Sequence, residues 1–313
     1  MPHQILVDAP MPDAMVALFG DDCVLHPRWE MPAGDARYEI IEGLFTYGHP
    51  KVAGELMDTM PRLKVVSNFG VGVDHIDLAA ARQRGIRVGN TPRLLDGATA
   101  DMTFALLMAA ARNVVISDRF ARSAEFTHYD PTLFHGYEVH GSVLGVVGMG
   151  NIGKQVARRA IGFDMTVLYH NRTRVPDDAS YRATYVSLNE LLERSDFVAL
   201  NCPLTPETRN LIDRTALKRM KPTAILVNMA RGGVVDQDAL VEALTDHWIA
   251  GAALDVTEPE PLPRDHPLLA LENVVIAPHL GSATSRTRLA MARLAIDNLI
   301  AGVVGEPLPS GVV

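Results

Sequence analysis

The chain has 313 residues, 48% hydrophobic and 21% charged, a composition that fits two ordinary globular domains and excludes a disordered chain. A net charge of −8 argues against nucleic acid or an anionic membrane surface as the main partner. Two cysteines, Cys23 and Cys202, make no disulfide framework and fit a reducing compartment, so the cytoplasm is the expected location.

At the N-terminus no basic segment precedes a long apolar one, so no signal peptide is expected, and no apolar run is clean enough to span a bilayer. Ile5 to Val7 reads as a strand and Asp13 to Phe19 as a helix. Gly43 to Tyr47 is a second strand, ending in Gly48-His49-Pro50. Leu63 to Ser67 is a third, closed by Asn68-Phe69-Gly70-Val71-Gly72. A helix at Asp77 to Arg84 and a short strand at Ile86 to Val88 follow. This alternation predicts a parallel sheet with helices on its faces. Asn90-Thr-Pro-Arg then leads into a long helix, about Thr99 to Ile116, apolar around most of its circumference. Such a helix is expected to be buried on several sides, between domains or between subunits. A polar, aromatic loop, Ser123 to His140, comes next.

The stretch Gly141-Ser-Val-Leu-Gly-Val-Val-Gly-Met-Gly-Asn-Ile-Gly153 opens a second α/β unit. Val143 to Val147 is a buried strand, and Ile152, Val156, Ala157, Ala160 and Ile161 lie on one face of the helix beyond it. Gly148, Gly150 and Gly153 form G-x-G-x-x-G at the junction. The first glycine permits the tight turn, the second lets the backbone approach a pyrophosphate, and the third lets helix and strand pack closely. Unpaired N–H groups at the helix start favour phosphate there. A strand at Met165 to Tyr169 follows, so the motif sits in the context that dinucleotide binding requires. Ser187 and Glu190 make a capping box ahead of Leu188, Leu191 and Leu192. Further strands are expected at Phe197 to Leu200, Ala224 to Asn228, Ala250 to Leu254 and Val274 to Ile276. Asp236 caps a helix, and Thr284 to Ala301 is the last helix.

In open parallel sheets, ligands bind beyond the carboxyl ends of the strands. Past three of the expected strands lie Met229-Ala230-Arg231-Gly232-Gly233, then Asp255 with Glu258-Pro259-Glu260-Pro261, and Pro278-His279-Leu280-Gly281. Arg231, Glu260 and His279 thus share one edge with the glycine loop. An arginine's planar fork can hold a substrate carboxylate and polarise a keto oxygen. A histidine can protonate that oxygen as hydride arrives, and a neighbouring carboxylate favours the protonated ring and orients it. Taken singly, Arg231 could be a surface ion pair, Glu260 a loop charge and His279 a residue at the start of a helix. Their common edge is what favours reduction of a 2-keto acid.

With these residues in view, the chain resembles the D-isomer-specific 2-hydroxyacid dehydrogenase family, and within it the glyoxylate/hydroxypyruvate reductases. The carrying residues are Asn68-Phe-Gly-Val-Gly-Val-Asp-His-Ile-Asp77, Asn90-Thr-Pro92, Ala98-Thr-Ala-Asp101, Gly148-Met-Gly-Asn-Ile-Gly153 and Cys202-Pro-Leu-Thr-Pro-Glu-Thr208. They continue with Asn228-Met-Ala-Arg-Gly-Gly-Val-Val-Asp236, Leu254-Asp-Val-Thr-Glu-Pro-Glu-Pro261 and Pro278-His-Leu-Gly-Ser-Ala-Thr284. The resemblance implies an α/β protein of two Rossmann-like or flavodoxin-like parallel-sheet domains with the active site in the cleft between them. Residues 1–98 and 286–313 would form a discontinuous substrate domain. Residues 99–285 would form the NAD(P)-binding domain and mediate a homodimer.

It also implies that Arg231, Glu260 and His279 are the catalytic trio, with Arg231 and His279 touching substrate. Backbone amides of Val71 and Gly72 would hold the substrate carboxylate. Asp255 would meet the nicotinamide carboxamide, Thr99 would lie near the nicotinamide, and Cys202 and Pro203 would line the adenine pocket. Met149, Asn151, Ile152, Thr208, Met229, Ala230 and Gly281 complete the implied cofactor contacts beside the three motif glycines.

Two departures matter. NAD-using members carry an acidic residue after the second coenzyme-domain strand, whereas this chain reads His170-Asn171-Arg172-Thr173-Arg174. Asn171, Arg172 and Thr173 suit a 2′-phosphate, so NADP is the expected cofactor and NAD a second one. The loop that in many such reductases carries a Trp offers Phe126, Tyr129, Phe134 and Tyr137 instead. Cys202 reads as pocket lining rather than nucleophile. His135 and His140 lack a third ligand at metal-site spacing, and no metal is expected. Trp248 reads as core or interface, and Trp29 and Tyr47 as residues that could wall a pocket. The favoured function is NADPH-dependent reduction of small 2-keto acids such as glyoxylate and hydroxypyruvate. The alternatives are reduction of longer keto acids such as 2-ketogluconate, or a dinucleotide-sensing regulator of the corepressor kind.

Overall fold

Short apolar runs alternating with helices give two all-parallel sheets, each in its own compact unit. The structure is a computed structural model describing residues 2–48 and 50–313, so His49 of the expected Gly48-His49-Pro50 turn lies outside the described residues. One unit comprises residues up to 95 with 284–313, the other residues 96–283. The sequence reading put these junctions at 98/99 and 285/286. In the structure they fall where helices start, at Asp96 and at Thr284, the N-cap of the C-terminal helix.

The first unit holds β1 (His3–Val7), β2 (Cys23–Pro27), β3 (Gly43–Thr46), β4 (Val65–Asn68) and β5 (Arg87–Gly89), in the order β2-β1-β3-β4-β5. Leu6, Leu44, Val66 and Val88 are buried along it, as expected for strands covered on both faces. The helices are α1 (Asp13–Val16), α2 (Gly54–Asp58), α3 (Leu78–Gln83) and the C-terminal helix Ser285–Val304. The expected helix Asp13 to Phe19 ends as a 3₁₀ turn at Ala17–Phe19. Strand β2 was not anticipated. It is a sheet-edge strand, only partly buried along its length, so no clean apolar run or alternation marks it.

The second unit carries β6 (Val143–Val147), β7 (Thr166–His170), β8 (Ala183–Tyr185), β9 (Phe197–Leu200), β10 (Ile225–Asn228), β11 (Gly251–Leu254) and β12 (Val274–Ile276). Their order is β12-β11-β10-β9-β6-β7-β8, so the strand order reverses between β6 and β9. The single helix expected from Thr99 to Ile116 is instead two, α4 (Asp96–Ala111) and α5 (Val114–Arg122), bent by 62°. Asn113 makes the break at φ 54°, a left-handed conformation that Asn tolerates. The last carbonyl of α4, on Ala111, accepts the amide of Tyr137 at 2.7 Å, so the 123–140 loop caps the helix end. Helix α4 packs on β10, β11 and β12 and on α6 (Asn151–Ile161), which accounts for its apolar circumference. Among the described residues no single helix is long and apolar enough to cross a membrane.

Three shorter helices complete the unit: α7 (Leu188–Arg194), α8 (Arg214–Arg219) and α9 (Gln237–Thr245). Ser187 caps α7 by accepting the amide of Glu190, but the Glu190 side chain pairs with Arg194 rather than reaching back. Asp236 caps α9 as expected. Trp248 packs against the core of this unit beneath Lys218 and Arg214.

Candidate active site

The strand-order reversal puts the ends of β6 and β9 side by side, and the glycine loop occupies that point. Gly148 has φ +95°, and a Cβ there would come within 2.6 Å of the Cys202 amide nitrogen. At Gly153 a Cβ would run into the Gly148 carbonyl, whereas at Gly150 nothing lies within 4 Å. Two glycines are therefore demanded by packing, and the third leaves open space over the start of α6. No side chain caps that helix, so its first amides remain for an anionic ligand. A dinucleotide pyrophosphate fits this cradle of Gly148, Met149, Gly150, Asn151, Ile152 and Gly153.

Past β7, His170 stands where an acidic residue would bind ribose hydroxyls, its Nδ1 3.0 Å from the Val186 carbonyl. Arg172 and Thr173 are exposed. Glu207 of the 203–208 loop has its carboxyl held below the usual range, first by a Thr205 hydrogen bond and in part by the Arg172 charge. Arg174 is different: its Nε binds buried Asp178 at 2.7 Å. Cys202 is buried and its thiol is pushed up to about 11 by burial, which suits a pocket wall and not a nucleophile. The Thr208 hydroxyl donates to the Pro203 carbonyl at 2.6 Å and so shapes its own loop.

Strands β10, β11 and β12 deliver the other candidates. After β10, buried Asn228 accepts the Ala230 amide (3.0 Å) and donates to the Arg231 carbonyl (2.9 Å), fixing the turn that bears Arg231. After β11, Gln237 clamps the Glu258 backbone from both sides, at 2.7 and 3.1 Å, and Arg209 pairs with its carboxylate. Glu260, two residues on, reaches His279 Nδ1 at 2.7 Å. Burial pushes the Glu260 carboxyl up, but the His279 hydrogen bond and charge, with a smaller contribution from Arg231, outweigh it and hold the group below its usual range. Glu260 thus feels both other members of the expected trio.

Asp255 braces this arrangement. Its buried carboxylate accepts the amides of Leu280 (2.6 Å) and Gly281 (2.8 Å), tying the turn that holds His279 at φ 55°. Burial pushes its carboxyl up, against those hydrogen bonds. Asp255, Thr99 and Met229 all border Gly281, within 3.2 to 3.4 Å of a Cβ built there, so four expected cofactor residues converge.

In the first unit, Val71 and Gly72 lie just past β4, at the carboxyl edge of its sheet. Asn90 donates to the Val71 carbonyl (2.8 Å), and buried Asn68 to those of Gly70 (3.1 Å) and Gly72 (2.9 Å). The carbonyls are thus tied back. Among the described residues the amides of Val71 and Gly72 have no protein acceptor, as a carboxylate site requires. Trp29 is exposed, and Tyr47 leans on Phe69 with ring centroids 5.0 Å apart. Sequence reasoning passed over Asn68, Asn90, Asn228 and Gln237 as positioning residues. For the three asparagines the only signal was an amide side chain at a strand end, where Asn commonly serves turns, and Gln237, the first residue of α9, gave none.

The family model for the D-isomer specific 2-hydroxyacid dehydrogenase NAD binding domain matches residues 104–281. A glyoxylate reductase of Korarchaeum cryptofilum is 51% identical over 261 residues, covering 83% of this chain and 79% of that protein. The TT0316 protein of Thermus thermophilus superposes with a TM-score of 0.90 at 45% identity, over 99% of this chain and 100% of that one. An NADPH-dependent glyoxylate/hydroxypyruvate reductase of Sinorhizobium meliloti, solved with NADP and malonate, gives a TM-score of 0.92 at 31% identity, covering 100% and 97%. With its two parallel sheets and a glycine cradle at the strand-order reversal, the chain belongs to the D-isomer-specific 2-hydroxyacid dehydrogenase family and is an NAD(P)-dependent enzyme of it.

Proposed function

We propose that the chain reduces small 2-keto acids, glyoxylate and hydroxypyruvate among them, to D-2-hydroxy acids with NADPH as the preferred cofactor. The 2.7 Å contact between His279 and Glu260 carries this reading, because it builds a hydrogen-bonded acid–base pair at the edge that holds the glycine cradle. Reduced nicotinamide supplies the hydride when bound. The chain's own residues do the rest. Arg231 holds the substrate carboxylate and polarises the keto oxygen, with the Val71 and Gly72 amides as further carboxylate donors. Glu260 occupies His279 Nδ1, so the opposite ring nitrogen delivers the proton to the forming alkoxide. The glyoxylate reductase relatives support the substrate class. Turnover of glyoxylate and hydroxypyruvate, followed by nicotinamide absorbance, tests it. Cofactor binding without turnover of any 2-keto acid would favour a sensor instead.

The pair predicts a pH effect. Reduction needs a proton from His279, so its rate should fall as pH rises. The Glu260 carboxylate, held below its usual range by the His279 hydrogen bond and charge against the opposing effect of burial, favours the protonated ring, and Glu260→Gln removes that support. The basic limb of the kcat/KM profile for reduction should therefore move to lower pH. An unmoved limb would mean that Glu260 does not couple to the acid.

A homodimer is part of this reading, but the apolar surface that supports it is not on α4. Val114 on α5 and Phe126, Tyr129, Leu133 and Phe134 in the following loop are exposed, Tyr129 by 81%. A cavity of about 630 Å³ lies between Val115 and Arg119 of α5 and the edge strand β12. Clustered exposed aromatics of this kind mark a covered face. Sedimentation at micromolar concentration should give a dimer, and a monomer would remove this part of the proposal.

A further inference from the structure

The loop after β7 is anchored on both flanks and open in the middle. On one flank the Tyr185 hydroxyl donates to the Asn171 carbonyl at 3.2 Å, and its ring stacks on His170 with centroids 6.2 Å apart. On the other, the Val175 amide donates to the Tyr169 hydroxyl at 3.0 Å. That hydroxyl donates to Asp178 Oδ2 at 3.1 Å, and Arg174 Nε donates to the same oxygen at 2.7 Å. Tyr169 is fully buried, and Asp178 is buried as well. Lys154 holds neighbouring Asp177 at 2.8 Å. Between these anchors Arg172 and Thr173 are exposed and make no hydrogen bond or ion pair among the described residues.

We propose that Tyr169 is a positioning residue for cofactor discrimination, acting with Asp178 and Arg174 as a brace that presents Arg172 and Thr173 to the 2′ side of the adenosine ribose. The proposal rests on the cofactor reading above and deepens it. Tyr169 is uncharged and out of reach of any ligand, so its influence passes through the Val175 amide. Arg174 serves as a strut of the loop through its Nε, which donates to Asp178, while the rest of its guanidinium stays exposed. A loop fixed before binding loses less freedom when the cofactor arrives, which is where the gain in affinity originates.

The test is Tyr169→Phe, which removes one hydroxyl and no charge, with kcat/KM measured for NADPH and for NADH beside wild type. The NADPH/NADH ratio should fall about three- to tenfold, the effect of losing one hydrogen bond that orders the loop. A merely structural role lowers both values together, and an unmoved ratio overturns the brace. The proposal is equally wrong if Arg174→Gln collapses the ratio while Tyr169→Phe leaves it unchanged, since Arg174 would then be a direct ligand. The wild-type ratio reads the cofactor preference separately. A wild type that favours NADH removes that preference, yet Tyr169→Phe must still shift the ratio for the brace to stand. Should the variant not fold, amide hydrogen exchange of the cofactor-free wild type decides. Val175 should exchange slowly beside fast Arg172 and Thr173, and exchange of Val175 as fast as theirs overturns the proposal.

Discussion

His279→Ala should lower turnover of 2-keto acids by about 10²- to 10⁴-fold while cofactor affinity stays within a fewfold of wild type, because a positioned acid–base group is typically worth that much. That range corresponds to roughly 3–5 kcal/mol of barrier. Cofactor affinity survives because it rests on other groups: the glycine cradle, the open start of α6 and the loop after β7. The Gly281 amide stays on Asp255 in the variant, since that bond belongs to the backbone. The backbone at His279 needs a control. At φ 55° an alanine is disfavoured, whereas asparagine tolerates this region through its short polar side chain. His279→Asn should therefore lose turnover as severely with less disturbance of the turn. If either variant kept turnover within a fewfold of wild type at neutral pH, the acid role of His279 would be wrong.

The second large effect concerns cofactor choice. A carboxylate at position 170 would bind the ribose hydroxyls of NAD and repel a 2′-phosphate. His170 exerts no such repulsion, and its ring is occupied by the Val186 carbonyl and the Tyr185 stack. In the proposed function, exposed Arg172 is the guanidinium that meets the phosphate. Charge-assisted hydrogen bonds are worth roughly 1.5–3 kcal/mol each, so NADPH should exceed NADH by at least about tenfold in kcat/KM. Arg172→Ala should remove most of that preference and leave NADH kinetics nearly unchanged. Equal use of both cofactors by the wild type would sink the assignment, as would loss of NADH activity in the variant to the same degree.

Local sequence determined more of this protein than its polar wiring. Buried parallel strands appear as apolar runs, so β6, β9, β10 and β11 were legible within a residue or two, as was the apolar but partly exposed β12. Glycine spacing at a strand–helix junction specified the cradle, because Gly148 and Gly153 answer steric demands from nearby backbone and Gly150 leaves the space open for a ligand. The rule that ligands sit beyond strand ends brought Arg231, Glu260 and His279 to one edge without any knowledge of distance. What only the tertiary structure decided concerns partners remote in the chain. The break at Asn113 depends on the Tyr137 amide capping Ala111, and composition alone made α4 and α5 look like one helix. Strands β2 (Cys-Val-Leu-His-Pro) and β8 (Ala-Thr-Tyr) are partly exposed and carry polar residues or proline, so no clean apolar run marks them. Whether Arg174 on the β7 loop faces a phosphate or solvent was even in the sequence. The structure adds a partner that the sequence did not name: Arg174 Nε binds the buried Asp178 carboxylate, which also accepts from Tyr169, while the side chain stays largely exposed. Asp255, Asn228 and Asn68 likewise gained their roles from the backbone amides and carbonyls folded against them. Periodicity along the chain encodes which face is buried, but each polar group's partner is chosen by which backbone arrives beside it.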